Sequence, residues 1–311
     1  MSDKRYFRVM LGRGSAFSEL CYKENFIGTD FGIEQDLKNE LPENWRDFNK
    51  KYIPVFMKNR PDKSKVAAGL ACGALWTVSK GISEGDIVLS PKGDGQYLVG
   101  EVIGEYFWKE NEELPHRRNI KWYPETISRS DMSQELKNSS GSISTTCNLT
   151  KYQVELEQLL KGNSPAKIIT TDETIEDPTT FVMEKHLEDF LVRNWSQTEL
   201  GKDYDIFEEE GELIGQQLQT DTGPLDILAI SKDKKELLVI ELKKGRASDS
   251  VVGQVQRYMG YVMEELADEG QSVRGIIIAL DDDLRIKRAL SVTNNIEFYR
   301  YQVSFNLQKS E

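Results

Sequence analysis

The chain has 311 residues, 30% of them charged, with a formal net charge of −12. That length allows two domains, each with its own core. No apolar run approaches the roughly 20 residues of a membrane helix, and the separated Cys21, Cys72 and Cys147 form neither a zinc spacing nor a disulfide framework.

Two histidines, His116 and His186, leave no room for a His-x-x-x-His zinc site and little for a Ser-His-Asp triad. Met1 to Arg5 lacks the apolar core of a signal peptide, so a reducing cytoplasm is the expected location. Residues 1–150 carry as many basic as acidic side chains, which puts the whole net −12 on residues 151–311. An acidic half repels nucleic acid at long range. Contact with DNA would then rest on local basic patches, on the N-terminal half or on oligomerisation, while a bound cation would offset part of the acidic excess.

In chain order, residues 6–13 and 26–32 read as strands. Residues 34–58 have helical patterning limited by Pro42 and Pro54, and 65–77 form a helix of small residues. Strands follow at 85–90, 96–108 and 117–123, the first two joined by the turn Pro91-Lys92-Gly93-Asp94-Gly95. A short helix at 131–136, a loop at 138–142 and an amphipathic helix at 149–160 complete this half.

Ala74-Leu75-Trp76-Thr77, Gly85-Asp86-Ile87-Val88, Tyr97-Leu98-Val99-Gly100-Glu101-Val102 and Ile120-Lys121-Trp122 resemble the PUA-like superfamily, in particular its EVE and YTH-type members. The resemblance covers about residues 5–125. It implies a small β-barrel that accepts a modified base in an aromatic cage. Trp76 and Trp108 are the leading cage candidates, with Phe31 and Tyr97 behind them. The plainer reading of each is a packed aromatic, since aromatics usually serve burial; for Trp76 the two readings weigh equally. Arg117, Arg118 and Lys121 form a basic cluster that suits phosphate contact. It equally suits a solvated strand edge protected by charge.

Residues 166–180 are a polar, acidic linker. A helix follows at 181–192, on which Glu184 and Glu188 share a face. Residues 213–220 read as a strand. Then two short apolar runs, 223–230 and 237–244, flank the turn Ser231-Lys232-Asp233-Lys234-Lys235 and predict a buried β-hairpin. Asp226, Glu241 and Lys243 sit inside these runs, where charge is costly unless paired or metal-bound. Glu241 and Lys243 are two apart and share a face, and Asp226 lies across the hairpin. Two carboxylates and an amine then converge, which suits a divalent cation with oxygen ligands beside a water-holding lysine. A helix at 251–266, a strand at 273–280, a helix at 284–290 started by Asp281-Asp282-Asp283 and a strand at 297–303 close the chain.

Asp226 followed by Glu241-Leu242-Lys243 resembles the PD-(D/E)xK nuclease motif, and Gln254-Val255-Gln256-Arg257-Tyr258 resembles the Gln-xxx-Tyr element of its RecB-like branch. Residues 223–258 are similar to the C-terminal nuclease domain of the NucS endonucleases. The resemblance implies Mg²⁺ (or Mn²⁺) held by Asp226, Glu241 and the Leu242 carbonyl, with a further carboxylate from Glu184, which fits the Glu-x-x-Leu pattern better, or from Glu188. It also implies water oriented by Lys243, with Gln254 and Tyr258 supporting the site or touching the DNA backbone. Relatives often carry a basic residue on the preceding strand, where this chain has glutamines.

The expected fold class is two-domain α+β. A PUA-like β-barrel with helices spans 1–165, a linker 166–180 and an α/β PD-(D/E)xK restriction-endonuclease-like domain 181–311. The expected activity is metal-dependent endonucleolytic cleavage of DNA bearing a modified base, by a homodimer, in restriction of phage or foreign DNA. A NucS-type repair nuclease, a nuclease gated by a small ligand and a non-catalytic nucleic-acid-binding protein are the alternatives.

Overall fold

A computed structural model describes residues 4–141, 144–161, 187–209 and 213–301. The chain divides into two compact units, Met1–Thr171 and Asp172–Glu311. The expected linker lies outside the described residues.

The first unit is built on a six-stranded mixed sheet of β1 (Tyr6–Val9), β2 (Phe26–Thr29), β3 (Ile87–Pro91), β4 (Gln96–Trp108), β5 (His116–Ser128) and β6 (Thr146–Asn148). The strand order is β2-β5-β4-β3-β1-β6, with β1 parallel to β3 and its other pairings antiparallel. Alternation along the strands covers both faces. Phe7, Val9, Val88 and Ile120 enter one core, and Tyr6, Ile87, Leu89 and Val99 another. Among the described residues no pairing joins β2 to β6, so the expected barrel is seen as an open path of strands. Gly100 lets β5 approach β4, since a Cβ there would lie 2.9 Å from the Ile120 side chain and from the Lys121 carbonyl oxygen.

Five helices accompany this sheet: α1 (Ser18–Glu24), α2 (Trp45–Asn59), α3 (Lys65–Trp76), α4 (Gln134–Ser140) and α5 (Gln153–Leu160). Asn44 and Ser64 cap α2 and α3, each accepting a main-chain N–H from three residues on. Pro54, expected to bound a segment, lies within α2, and residues 34–44 are not helical. A π-type turn, Thr77–Gly81, prolongs α3. Ile33, Leu37, Phe48, Tyr52, Leu75 and Tyr106 form a third core where α2 and α3 meet the long strand β4.

The second unit has its own six-stranded sheet: β7 (Tyr204–Ile206), β8 (Gln216–Thr220), β9 (Gly223–Ser231), β10 (Glu236–Arg246), β11 (Ser272–Asp281) and β12 (Ile296–Arg300). The order is β12-β11-β10-β9-β7, and β8 also pairs with β9. Strands β10, β11 and β12 run parallel, while β9 turns back antiparallel to β10. Their near-continuous apolar runs fit a sheet covered on both faces. The β9–β10 turn is held by the Ser231 hydroxyl, which accepts the N–H groups of Lys235 and Glu236 and donates to Asp233.

Residues 187–193 form helix α6, whose Leu187, Leu191 and Val192 pack against the sheet. α7 (Ser250–Tyr261) and α8 (Leu284–Leu290) complete the unit. Asp283 caps α8, accepting from the N–H groups of Arg285 and Ile286. α7 seats closely on β11, because a Cβ at Gly275 would come within 2.5 Å of Val255 Cγ1 and 2.7 Å of Met259 Sδ. Among the described residues no helix is long and apolar enough to cross a membrane.

Candidate active site

The hairpin predicted from the sequence carries its three polar residues together. The β9–β10 ladder runs to Ile227↔Ile240, so Asp226 and Glu241 are the next positions beyond it on either strand. Asp226 Oδ2 accepts the Leu242 N–H at 2.8 Å, and Lys243 Nζ lies 3.4 Å from Glu241 Oε1. Glu241 is buried, and the Lys243 side chain is 16% exposed.

The helix-borne carboxylate in this cluster is Glu188, which is 3% exposed. Gln216 Nε2 donates to its Oε1 at 2.6 Å, and Gln217 Nε2 to its Oε2 at 2.6 Å. Gln217 Nε2 also donates to Asp226 Oδ1 at 3.1 Å, so one amide spans two carboxylates. Glu184, the other candidate, lies outside the described residues.

Asp226 keeps part of its surface in solvent, yet its carboxylate is enclosed. Burial, and secondly the charge of Glu188, push it up to about 6; the Leu242 N–H, Lys243 and Gln217 partly oppose this. On α7, Gln254 Nε2 donates to Tyr258 Oη at 3.3 Å. Burial, and secondly the nearby Glu241 carboxylate, raise the Tyr258 hydroxyl to about 12. Gly223 opens β9 at a φ of 129°, a backbone conformation that favours glycine, and a Cβ there would lie 3.3 Å from that hydroxyl.

A divalent cation fits this donor set in kind. Carboxylate oxygens are hard ligands, and Mg²⁺ is commonly held by one or two of them together with water and substrate phosphate. Among the described residues no three acidic, histidine or cysteine side chains form a ready cage. Gln217 Nε2 links Glu188 to Asp226, and Gln216 Nε2 links Glu188 to Asp189, at 3.4 Å from the latter.

The first unit sorts its expected residues differently. Phe31, Trp76 and Trp108 are partly buried and pack against the core that contains Tyr106. Trp76 Nε1 donates to the Pro42 carbonyl at 3.0 Å, and Trp108 lies 4.6 Å from the His116 ring, centroid to centroid. Tyr97 is not with them; it is buried in a separate core, and its hydroxyl accepts from Arg129. His116 is buried between the Tyr106 hydroxyl and the Ile33 carbonyl, and that burial lowers it to about 4.

The phosphate-contact expectation requires correction at two positions. Arg117 and Arg118 are buried, and their guanidinium groups bond to backbone carbonyls: Arg117 to Leu114 and Glu113, Arg118 to Gly104 and Ile82. Arg117 also pairs with Glu112 at 2.9 Å. Of the three, only Lys121 is exposed. Sequence reasoning passed over Gln216 and Gln217 as neutral replacements for a basic residue. The one signal available was that two adjacent amides precede a hairpin with buried acids.

The second unit is thus a mixed sheet with an acidic hairpin site and a helix on either side of the motif in sequence. Residues 183–309 match the family model described as the endonuclease NucS C-terminal domain. Residues 7–150 match a family model described as a domain of unknown function, DUF8426. The endonuclease NucS of Methanocaldococcus jannaschii is 32% identical over 96 residues, covering 31% of this chain and 35% of that protein. The chain therefore matches about a third of the length of this curated relative. Among solved structures, a repair endonuclease from Pyrococcus abyssi is similar at 15% identity with a TM-score of 0.31, covering 68% of this chain and 66% of that one. A complex of EndoMS with double-stranded DNA is similar at 14% identity and a TM-score of 0.31, covering 71% and 66%.

Proposed function

We propose that the chain is a divalent-cation-dependent DNA endonuclease whose second unit hydrolyses the phosphodiester bond. The observation that carries this reading is the pairing of Asp226 with Glu188 through Gln217, beside the strand that bears the Glu241–Lys243 ion pair, in a unit matched by the NucS C-terminal domain model. Asp226 and Glu188, with Glu241 and the Leu242 carbonyl, would hold Mg²⁺ or Mn²⁺. When bound, the cation supplies charge stabilisation at the scissile phosphate. Lys243 orients the attacking water and offsets the charge of Glu241. Gln254 and Tyr258 support the site from α7.

In this reading the first unit, taken as PUA-like, selects the DNA. Its partly buried Phe31, Trp76 and Trp108 take a modified base, and the protein acts in the cytoplasm as a homodimer that restricts phage or foreign DNA. The unpaired, buried cysteines suit that compartment. A NucS-type repair role has equal support from the second unit's family match.

The test is cleavage of unmodified and variously modified DNA by the purified chain, with Mg²⁺, with Mn²⁺ and with EDTA. Cation-dependent cleavage that Asp226→Ala or Glu241→Ala abolishes is expected. Full cleavage by either variant would overturn the assignment. Preference for a modified substrate supports restriction, and preference for a mismatch supports repair.

A further inference from the structure

The two glutamines of β8 depart from strand geometry in a way that bears on the cation. Neighbouring residues of a regular strand point to opposite faces, yet the amides of Gln216 and Gln217 both reach Glu188. Gln217 has a φ of 50°, in the left-handed region that residues other than glycine seldom adopt. That bend turns its amide into the gap between Glu188 and Asp226, at 2.6 and 3.1 Å. The group facing them must be the NH₂ end, since an amide oxygen would be repelled by both carboxylates.

We propose that Gln217 is the internal competitor of the divalent cation: its amide holds Glu188 and Asp226 in the cation-free chain and must leave before a cation can bridge them. This rests on the reading of those carboxylates as cation ligands. A cation shared by both would occupy the gap now filled by the amide, at Mg–O distances of about 2.0–2.1 Å. Both carboxylates would have to give up the amide before they could hold such a cation together. Breaking two charge-assisted bonds lowers the apparent affinity. Removing the amide should therefore tighten binding. The opposing effect, loss of carboxylate placement, is small because Gln216 still holds Glu188 Oε1 and the Leu242 N–H still holds Asp226 Oδ2, at 2.6 and 2.8 Å.

The test is titration of Mn²⁺ into the full chain, with free Mn²⁺ read by electron paramagnetic resonance. Gln217→Asn keeps a residue that tolerates the left-handed backbone but shortens the side chain by one methylene, and Gln217→Leu removes the donor. Both should bind Mn²⁺ roughly tenfold more tightly than the parent, about 1.4 kcal/mol, and Asp226→Asn should not bind. A silent parent with binding variants also supports the proposal. Variants that bind equally or more weakly than a binding parent overturn it, making Gln217 a scaffold or a ligand, and leave the cation site standing. If neither the parent nor any variant binds Mn²⁺, the cation reading itself fails, and this inference with it.

Discussion

Asp226 accepts the main-chain N–H of Leu242 at 2.8 Å, one step beyond the last backbone pair of the β9–β10 ladder. A side chain thereby continues the work of the sheet where the backbone pairing stops. Leu242 lies between Glu241 and Lys243, so the same bond fixes the segment that presents both. The acid of the motif is also a structural cross-link.

Asp226→Asn should change stability in a pH-dependent way. The folded carboxyl is raised to about 6 from its ordinary 3.8. The folded chain then holds this proton more tightly than the unfolded chain. That contribution to stability is full below about pH 3.8 and is lost as pH rises through about 6. Without cation, the variant should be more stable than the parent by about 1–3 kcal/mol at neutral pH, with the gap closing towards pH 4. Urea unfolding in EDTA across that range measures it, and a gap independent of pH would contradict the assigned environment.

Lys243→Ala should separate binding from turnover. The amine is 3.4 Å from Glu241 on a side chain only 16% exposed, so its loss should leave DNA affinity within about threefold. Turnover should fall by roughly a hundredfold or more, the scale of a positioned proton-handling group. Single-turnover cleavage and a filter-binding assay on one preparation supply both values. Equal losses in the two would place Lys243 in substrate binding.

Arg118→Ala should act on the fold and Lys121→Ala on DNA. Arg118 is buried on the carbonyls of Gly104 and Ile82, which its removal would leave without donors. A loss of about 1–3 kcal/mol is expected, with no change in the salt dependence of DNA binding. Lys121 is exposed, and if it meets a phosphate its removal should lower the salt slope by about one. Thermal melts and binding isotherms at several salt concentrations decide both points.

Trp76→Ala tests the base-reading assignment. A stacked base is worth roughly 1–3 kcal/mol, so affinity for the preferred DNA should drop about ten- to hundredfold while cleavage chemistry is spared. Trp76 also bonds to Pro42 and packs over Gly81, where a Cβ would lie 2.8 Å from its ring. A variant that unfolds the first unit marks Trp76 as a core residue. One that folds and binds equally well removes it from recognition.

The hairpin was legible in the sequence because its apolar runs, turn and buried acids are all local. The short β6 and β7 escaped notice because three residues carry no periodicity. Arg117 and Arg118 read as a surface cluster because their partners are main-chain carbonyls, which leave no trace in side-chain spacing. The bridge made by Gln217 was hidden for a related reason: it depends on one left-handed residue that breaks the alternation from which strand faces are inferred.

Gly275 gives the second unit a vulnerability that a survey of its chemical groups would overlook. Its missing side chain is the socket into which Val255 and Met259 settle, and Gln254 and Tyr258 ride on the same helix. Even one added methyl on β11 would act as a shim, lifting α7 and carrying those two side chains away from Glu241 and Asp226. A lesion there would leave every polar group of the site intact and out of alignment.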